Sequence, residues 1–303
     1  MNEILILLRK DLRLLLSESY LPIIIVAIVV LSGVAAFSAV DDYSTFVRDP
    51  PMDLSLEDKE LKQRTCLLDF WNMVIPFDVL IVLAVSALSL SMERENGMLR
   101  FILSYGRSRS LFFASKGLVV IMICTIAALI PVAAFPLGFF ITGIDILIDA
   151  QLMLASAVFP LLIVLSASML GLLISALCRK RHTAVIVAVM AFLVITMTYS
   201  STLQSGMDDA MFQYRQEHGD LFMTISDARE LFPEDKRVAL LLNPMLIKEG
   251  LPQTLNLTGN GMNLANVDTF AFYDQATDAT IGLATIGALF LAGYLLFMHT
   301  RRW

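Results

Sequence analysis

Six stretches of this chain run for 20 residues or more carrying a single charge among them: Leu21–Val40, Trp71–Met92, Gly117–Thr142, Gln151–Leu177, Thr183–Leu203 and Ala279–Met298. Each helical residue advances about 1.5 Å, so about 20 of them cross a hydrocarbon core of about 30 Å. Inside a bilayer every backbone N–H and C=O must find a partner within the protein, which leaves helices or closed barrels. The runs are continuously apolar and lack the alternation of barrel strands. The sequence therefore predicts an all-α polytopic membrane protein with six transmembrane helices. Composition agrees: 57% of the 303 residues are hydrophobic and 17% charged, against about 45–50% and about 25% in soluble domains. That apolar content excludes a disordered chain. A net charge of −6 argues against a nucleic-acid partner.

Charge sets the orientation. Six spans put both termini on one side, with residues 1–20, the 93–116 loop, the 178–182 loop and the tail. Those segments hold 13 Lys and Arg against 5 Asp and Glu, while 41–70, 143–150 and 204–278 hold 9 against 22. Basic short loops stay in the cytoplasm, so the chain is expected in the cell membrane, multi-pass, with both termini cytoplasmic. Residues 1–20 place Ile4, Leu5, Leu8, Leu12, Leu15 and Leu16 on one helical face and Arg9, Lys10, Arg13 and Ser17 on another. This pattern predicts an amphipathic helix lying on the inner membrane surface; the plainer alternative is an extension of the first span. Pro22, Pro76, Pro131, Pro136 and Pro160 lie within spans and should kink or break them. The third span, with two prolines, is expected to bend or to be partly re-entrant.

Chemistry within the chain is sparse. No Gly-Lys dipeptide occurs, hence no P-loop, and neither HExxH nor CxxC is present,. The three Cys and three His are scattered over different compartments, so no cofactor, no metal site and no catalytic residues are expected. Asp78 is the one charge inside a span. It is a candidate for the transport pathway, or else a structural or water-facing group beside Pro76. With almost no internal charge to couple to an ion gradient, energy is expected to enter through a cytoplasmic partner.

The largest cytoplasmic loop shows where such a partner could dock. Glu93, Arg94 and Glu95 leave the second span, Asn96-Gly97 breaks the helix, and Met98–Ser104 forms a short helix with an apolar face. Tyr105-Gly106 makes a second turn before the basic run Arg107–Lys116. The stretch E-R-E-N-G-M-L-R-F-I-L-S-Y-G-R-S-R resembles the E-x-E-x-G-T-L-x-x-L-L-S-x-P-x-S-R signature of ABC exporter permeases of the type-2 branch. Met98 stands for the usual Thr, and Lys116-Gly117 reverses the usual Gly-Lys. Gly171–Ala184 is similar to the junction between the fourth and fifth spans in that family. The resemblance covers essentially the whole chain.

What the resemblance implies is specific. The chain would be the permease subunit of an ATP-driven exporter, a single transmembrane domain over residues 1–303, without an ATPase site of its own. Two P-loop ATPase subunits would bind beneath a pair of permease copies, identical or related, embedded in the bilayer. The 93–116 loop would act as the coupling helix, with Glu93, Arg94, Glu95, Gly97, Leu99, Leu103, Ser104, Arg107 and Arg109 as the coupling residues. Glu93 and Glu95 would hold the joint by pairing with Arg94, Arg100 or the partner. The alternative is a membrane anchor or sensor that docks a cytoplasmic partner without transport.

The external 204–278 segment is acidic. Gly206–Gln216 and Ser226–Leu242 are expected to be helical, with Ser226 or Asp227 capping the second and Asn243-Pro244 ending it. Met245–Leu255 is apolar and is expected to dip back to the membrane edge. Asn256-Leu257-Thr258 is a glycosylation sequon. The whole segment reads as a cap over the exit path, or as a spacer between the last two spans. The first external segment should end in a helix, Leu56–Asp69, running into the second span.

Overall fold

In the computed structural model, residues 9–10, 20–48, 55–99, 108–218, 230–241, 243–255, 257 and 275–299 are described. They form helices α1 (Tyr20–Arg48), α2 (Leu56–Glu95), α3 (Arg109–Thr142), α4 (Ala150–Ser156), α5 (Val158–Leu177), α6 (Arg181–His218), α7 (Glu234–Leu241), a 3-10 turn (Pro244–Glu249), α8 (Gly250–Thr254) and α9 (Gln275–His299). No strand occurs among the described residues. Six helical segments are long and apolar enough to cross a membrane. Of the amino-terminal interfacial helix only Arg9 and Lys10 are described, both helical; the rest of that expectation lies outside the described residues.

Several boundaries differ from the hydropathy reading, each for a local reason. The second span and the helix expected before it are one 40-residue helix, α2. Ser55 starts it with a capping box: its hydroxyl accepts from the Asp58 N–H at 3.1 Å, and the Asp58 carboxylate accepts from the Ser55 N–H at 3.0 Å,. Pro76 lies within this helix without ending it. The third span is likewise one helix through Pro131 and Pro136; the re-entrant expectation does not hold. The fourth run is divided at Ala157. Pro160, three residues on, has no N–H to give to the Ser156 carbonyl, and α5 restarts with Pro160 in its first turn, where that N–H is not needed. The Gly206–Gln216 stretch is the continuation of α6, which runs unbroken to His218. Ser226 and Asp227 lie outside the described residues.

The packing has a clear centre. α5 lies between α2 and α9, α1 packs on α3 and α2, and α6 leans on α2. In α4–α5, 67% of the most apolar window is buried, against 11% in α6 and 17% in α9. At Gly171 α5 meets α2 so closely that a Cβ there would lie 2.6 Å from the Leu83 carbonyl oxygen; only a residue without a side chain permits that approach. At the acidic end, Phe70, Trp71, Phe135, Phe139 and Tyr43 form a buried aromatic cluster. The Trp71 indole N–H donates to Ser156 Oγ at 3.1 Å, just before the α4–α5 break. Gln63 donates to the Asp145 carbonyl and accepts from the Leu147 N–H, both at 2.8 Å, fastening the α3–α4 loop to α2. Met245, Leu246, Ile247, Leu251, Leu255 and Leu257 are buried against the bundle, so the apolar part of the segment between the last two spans packs on the helices. Asn243 turns the chain there, donating to the Ile195 carbonyl at 2.9 Å and accepting from the Met245 N–H at 3.0 Å. Asn256 lies outside the described residues.

Candidate functional site

The basic end of α2 concentrates the polar contacts. Along an α-helix, successive side chains diverge by about 100°, so Glu93, Arg94 and Glu95 leave it in three directions and adjacent ones do not face each other. Each meets a different part of the molecule.

Glu93 turns into the bundle and is 2% exposed. Its Oε1 accepts from Lys116 Nζ on α3 at 2.8 Å and from Lys10 Nζ at 2.7 Å. Both ammonium groups also sit over the Phe112 ring, at 5.5 and 5.7 Å from its centroid, an attraction between cation and ring face. Burying a lone carboxylate is costly, and pairing plus hydrogen bonding offsets that cost. The other oxygen, Oε2, accepts no hydrogen bond from a described residue.

Arg94 reaches across to α5. Its Nη1 donates to the carbonyls of Ala176 at 2.8 Å, Cys178 at 3.2 Å and Ser175 at 3.5 Å. The last carbonyls of a helix have no partner inside it, and the helix dipole favours a cation there. Arg94 thus caps the carboxyl end of α5. Just above, Ser175 Oγ accepts from the N–H groups of Leu90 and Ser91 at 2.8 and 3.0 Å. Burial pushes the neighbouring Cys178 thiol above its ordinary range, with Arg94 drawing it partly back.

Glu95 points to α6. Its Oε2 accepts from the Arg181 backbone N–H at 2.9 Å, at the first residue of that helix, and the Arg181 guanidinium lies 3.8 Å away. A carboxylate at a helix amino terminus satisfies an orphan N–H and complements the dipole.

The helix then stops. Asn96 N–H donates to Met92 and Gly97 N–H to Arg94. Gly97 is left-handed, with φ of +69°, a conformation open to glycine. Met98 is exposed, whereas Leu99 turns back and is buried with Leu90, Phe112, Phe113, Leu172, Ala176 and Phe297. Arg109 opens α3 after Ser108, whose hydroxyl accepts from the Leu111 N–H at 3.1 Å.

Of the residues singled out from sequence, Glu93, Arg94, Glu95, Gly97, Leu99 and Arg109 stand at or beside this junction. Leu103, Ser104 and Arg107 lie outside the described residues, as does Arg100. The pairing expected between Glu93 or Glu95 and Arg94 is not what forms; the partners are Lys10, Lys116 and Arg181. Asp78 is remote from the junction in sequence. It is 3% exposed, and its Oδ1 accepts from no described residue. Lys116, Ser175 and Gly171 were not anticipated; the signal for Lys116 was a lysine where an apolar span begins.

Six membrane-length helices thus carry a charge-locked junction at one end of α2. The chain belongs to the ABC-2 family transporter proteins, whose family model matches residues 5–301. It is thus a permease subunit of an ATP-binding cassette transporter, a family of membrane subunits that normally pair with a separate ATPase. No curated protein matches the chain at a significant level.

Proposed function

We propose that this permease exports its substrate across the cytoplasmic membrane, driven by ATP hydrolysed on a separate P-loop ATPase, and that the α2–α3 turn is where the ATPase drives it. Both termini and the turn lie in the cytoplasm in this reading, which the Lys and Arg distribution supports,. Two permease copies pair, with two ATPase subunits beneath. One observation carries the proposal: three consecutive residues at the foot of the turn bond to Lys10, α3, α5 and α6. A displacement of the turn is therefore felt by four other parts of the molecule. An ATPase pair that contacts the turn differently in its two nucleotide states biases the arrangement of the helices by that difference.

The junction divides the labour among the coupling residues. Glu93, Arg94 and Leu99 face inward and transmit, whereas the exposed Glu95, Asn96, Gly97 and Met98 are available to the partner. Leu103, Ser104, Arg107 and Arg109 complete the seat. Asp78, a buried carboxylate two residues from Pro76, is assigned to the pathway, where movement of the helices would give it a partner in transit.

The test is charge reversal at Glu93 together with Glu95, and separately Gly97→Pro, in the chain co-expressed with its ATPase. Proline fixes φ near −65° and cannot follow the left-handed turn. Both variants should insert in the membrane yet lose ATPase association or ATP-driven transport. If both keep full association and transport, the coupling assignment fails. Association without any transport-linked ATP hydrolysis in the unaltered chain would instead identify an anchor.

A further inference from the structure

A chamber of about 470 Å³ lies between Pro76 of α2, one face of α6 and the 3-10 turn. Small-molecule sites commonly measure about 300–1,000 Å³. On α6 its walls are Phe192, Thr196, Ser200 and Gln204, at steps of four, with Tyr199 and Leu203 alongside; residues three and four apart share a helix face. That face turns polar over the last part of an otherwise apolar span. Thr196 is half-buried, and Ser200 and Gln204 are exposed. The Thr196 hydroxyl donates to the Phe192 carbonyl at 2.9 Å and the Ser200 hydroxyl to the Thr196 carbonyl at 3.0 Å. Their hydrogens are thus engaged, and their oxygens can still accept.

The opposite wall comes from the turn, through Met245 and Lys248. Side chains three apart on a 3-10 helix eclipse one another, so these two share a face. The residues between them, Leu246 and Ile247, are each 1% exposed, and Ile247 packs against Gly282 of α9. Asn243 fastens the start of the turn to α6 through the Ile195 carbonyl and Thr198. A packed turn therefore carries Lys248 to the chamber. Lys248 is half-buried and is the one charged residue among the described walls. It has an interaction of its own, but an ammonium group has three N–H donors and can serve a ligand as well.

We propose that this chamber binds an amphipathic organic anion, with its carboxylate or phosphate on Lys248 and its apolar body against Phe192, Leu203 and Met245. Gln204 and the hydroxyls of Thr196 and Ser200 meet polar groups along that body. A cation would face Lys248 with no carboxylate among the described walls to hold it. A wholly apolar molecule would bury polar walls without giving them partners. The proposal rests on the export reading only in making this anion the substrate.

The full chain in phosphatidylcholine nanodiscs, without ATP or ATPase, would be photolabelled with 4-benzoylbenzoate and with its neutral carboxamide, and the labelled residues mapped by mass spectrometry. A failure of export would leave this result standing. Met190 and Met197, exposed on α6 outside the chamber, report simple partition into the bilayer. A charge-assisted contact predicts that the anion labels Met245 about tenfold more than the carboxamide does, with no such preference at Met190 or Met197. Lys248→Gln should erase the preference, and Lys248→Arg should keep it. Ser200→Phe narrows the chamber while keeping Lys248 and should lower the Met245 label about tenfold. Phosphatidylglycerol added to the nanodisc competes if the natural anion is a lipid and leaves the label unchanged if it is water-soluble. If Lys248→Gln fails to fold, the probe pair on the unaltered chain and Ser200→Phe still decide. Equal labelling of Met245 by both probes, a preference that survives Lys248→Gln, or a Met245 label indifferent to Ser200→Phe would each overturn the proposal.

Discussion

The two ends of the helix bundle are held by different physics. At the acidic end, the cluster around Phe70, Trp71 and Phe135 is buried aromatic surface, with a few neutral hydrogen bonds from Gln63, Trp71 and Asn243 and a partly exposed ion pair between Lys62 and Asp42. At the basic end, Glu93, Arg94 and Glu95 work through charge, two of them on the ends of other helices. Apolar burial is non-directional and grows with area, so it tolerates small rotations. A bond to a helix terminus is directional and fades within about one turn, so it registers the position of that terminus. Apolar burial holds the helices together at both ends, through Phe112, Phe113 and Phe297 at the basic one, and the bonds to helix termini there also fix their relative orientation.

Substitutions can break or sharpen this contrast. The largest effect is expected for Arg94→Met, which leaves the Ala176 and Cys178 carbonyls without their cation. A loss of about 3 kcal/mol is expected, read as a lowered midpoint of detergent-solubilised unfolding. An unchanged midpoint would mean that the cap contributes nothing. Gly171→Val should follow at about 2 kcal/mol, from overpacking against α2. Its companion Gly171→Ala should cost less, and equal effects would show that the helices separate freely. Trp71→Phe keeps the aromatic packing and removes the bond to Ser156, for about 1 kcal/mol. A larger loss would show that the acidic end also depends on polar bonds. Lys236→Ala, which breaks the half-exposed pair with Asp209, should change stability by less than about 0.5 kcal/mol.

Sequence alone carried much of the architecture, because apolar length is a one-dimensional property. All six spans could be read from it, as could the turn at Asn96-Gly97 and the helix preceding the second span. It misplaced the division of the fourth run, since Pro160 acts three residues before itself. It also offered Arg94 as a partner for Glu93 and Glu95, and Arg94 is not the cation they meet. Charges adjacent in sequence point apart on a helix, and the true partners are 83, 23 and 86 residues away. Arg94 as a helix cap was illegible for a related reason: its acceptors are backbone carbonyls of a helix about 80 residues further on, which no side-chain pattern announces.

The length of α2 has a mechanical consequence. Forty helical residues make a rod about 60 Å long at about 1.5 Å per residue, about twice the thickness of the hydrocarbon core. Pivoted near Glu93, a tilt of about 5° would carry the Ser55 end sideways by about 5 Å, roughly one helical pitch. The close contact at Gly171 engages the rod about a quarter of the way along, so α5 would be swept by a smaller arc. A displacement at the turn is thus geometrically amplified toward the far side.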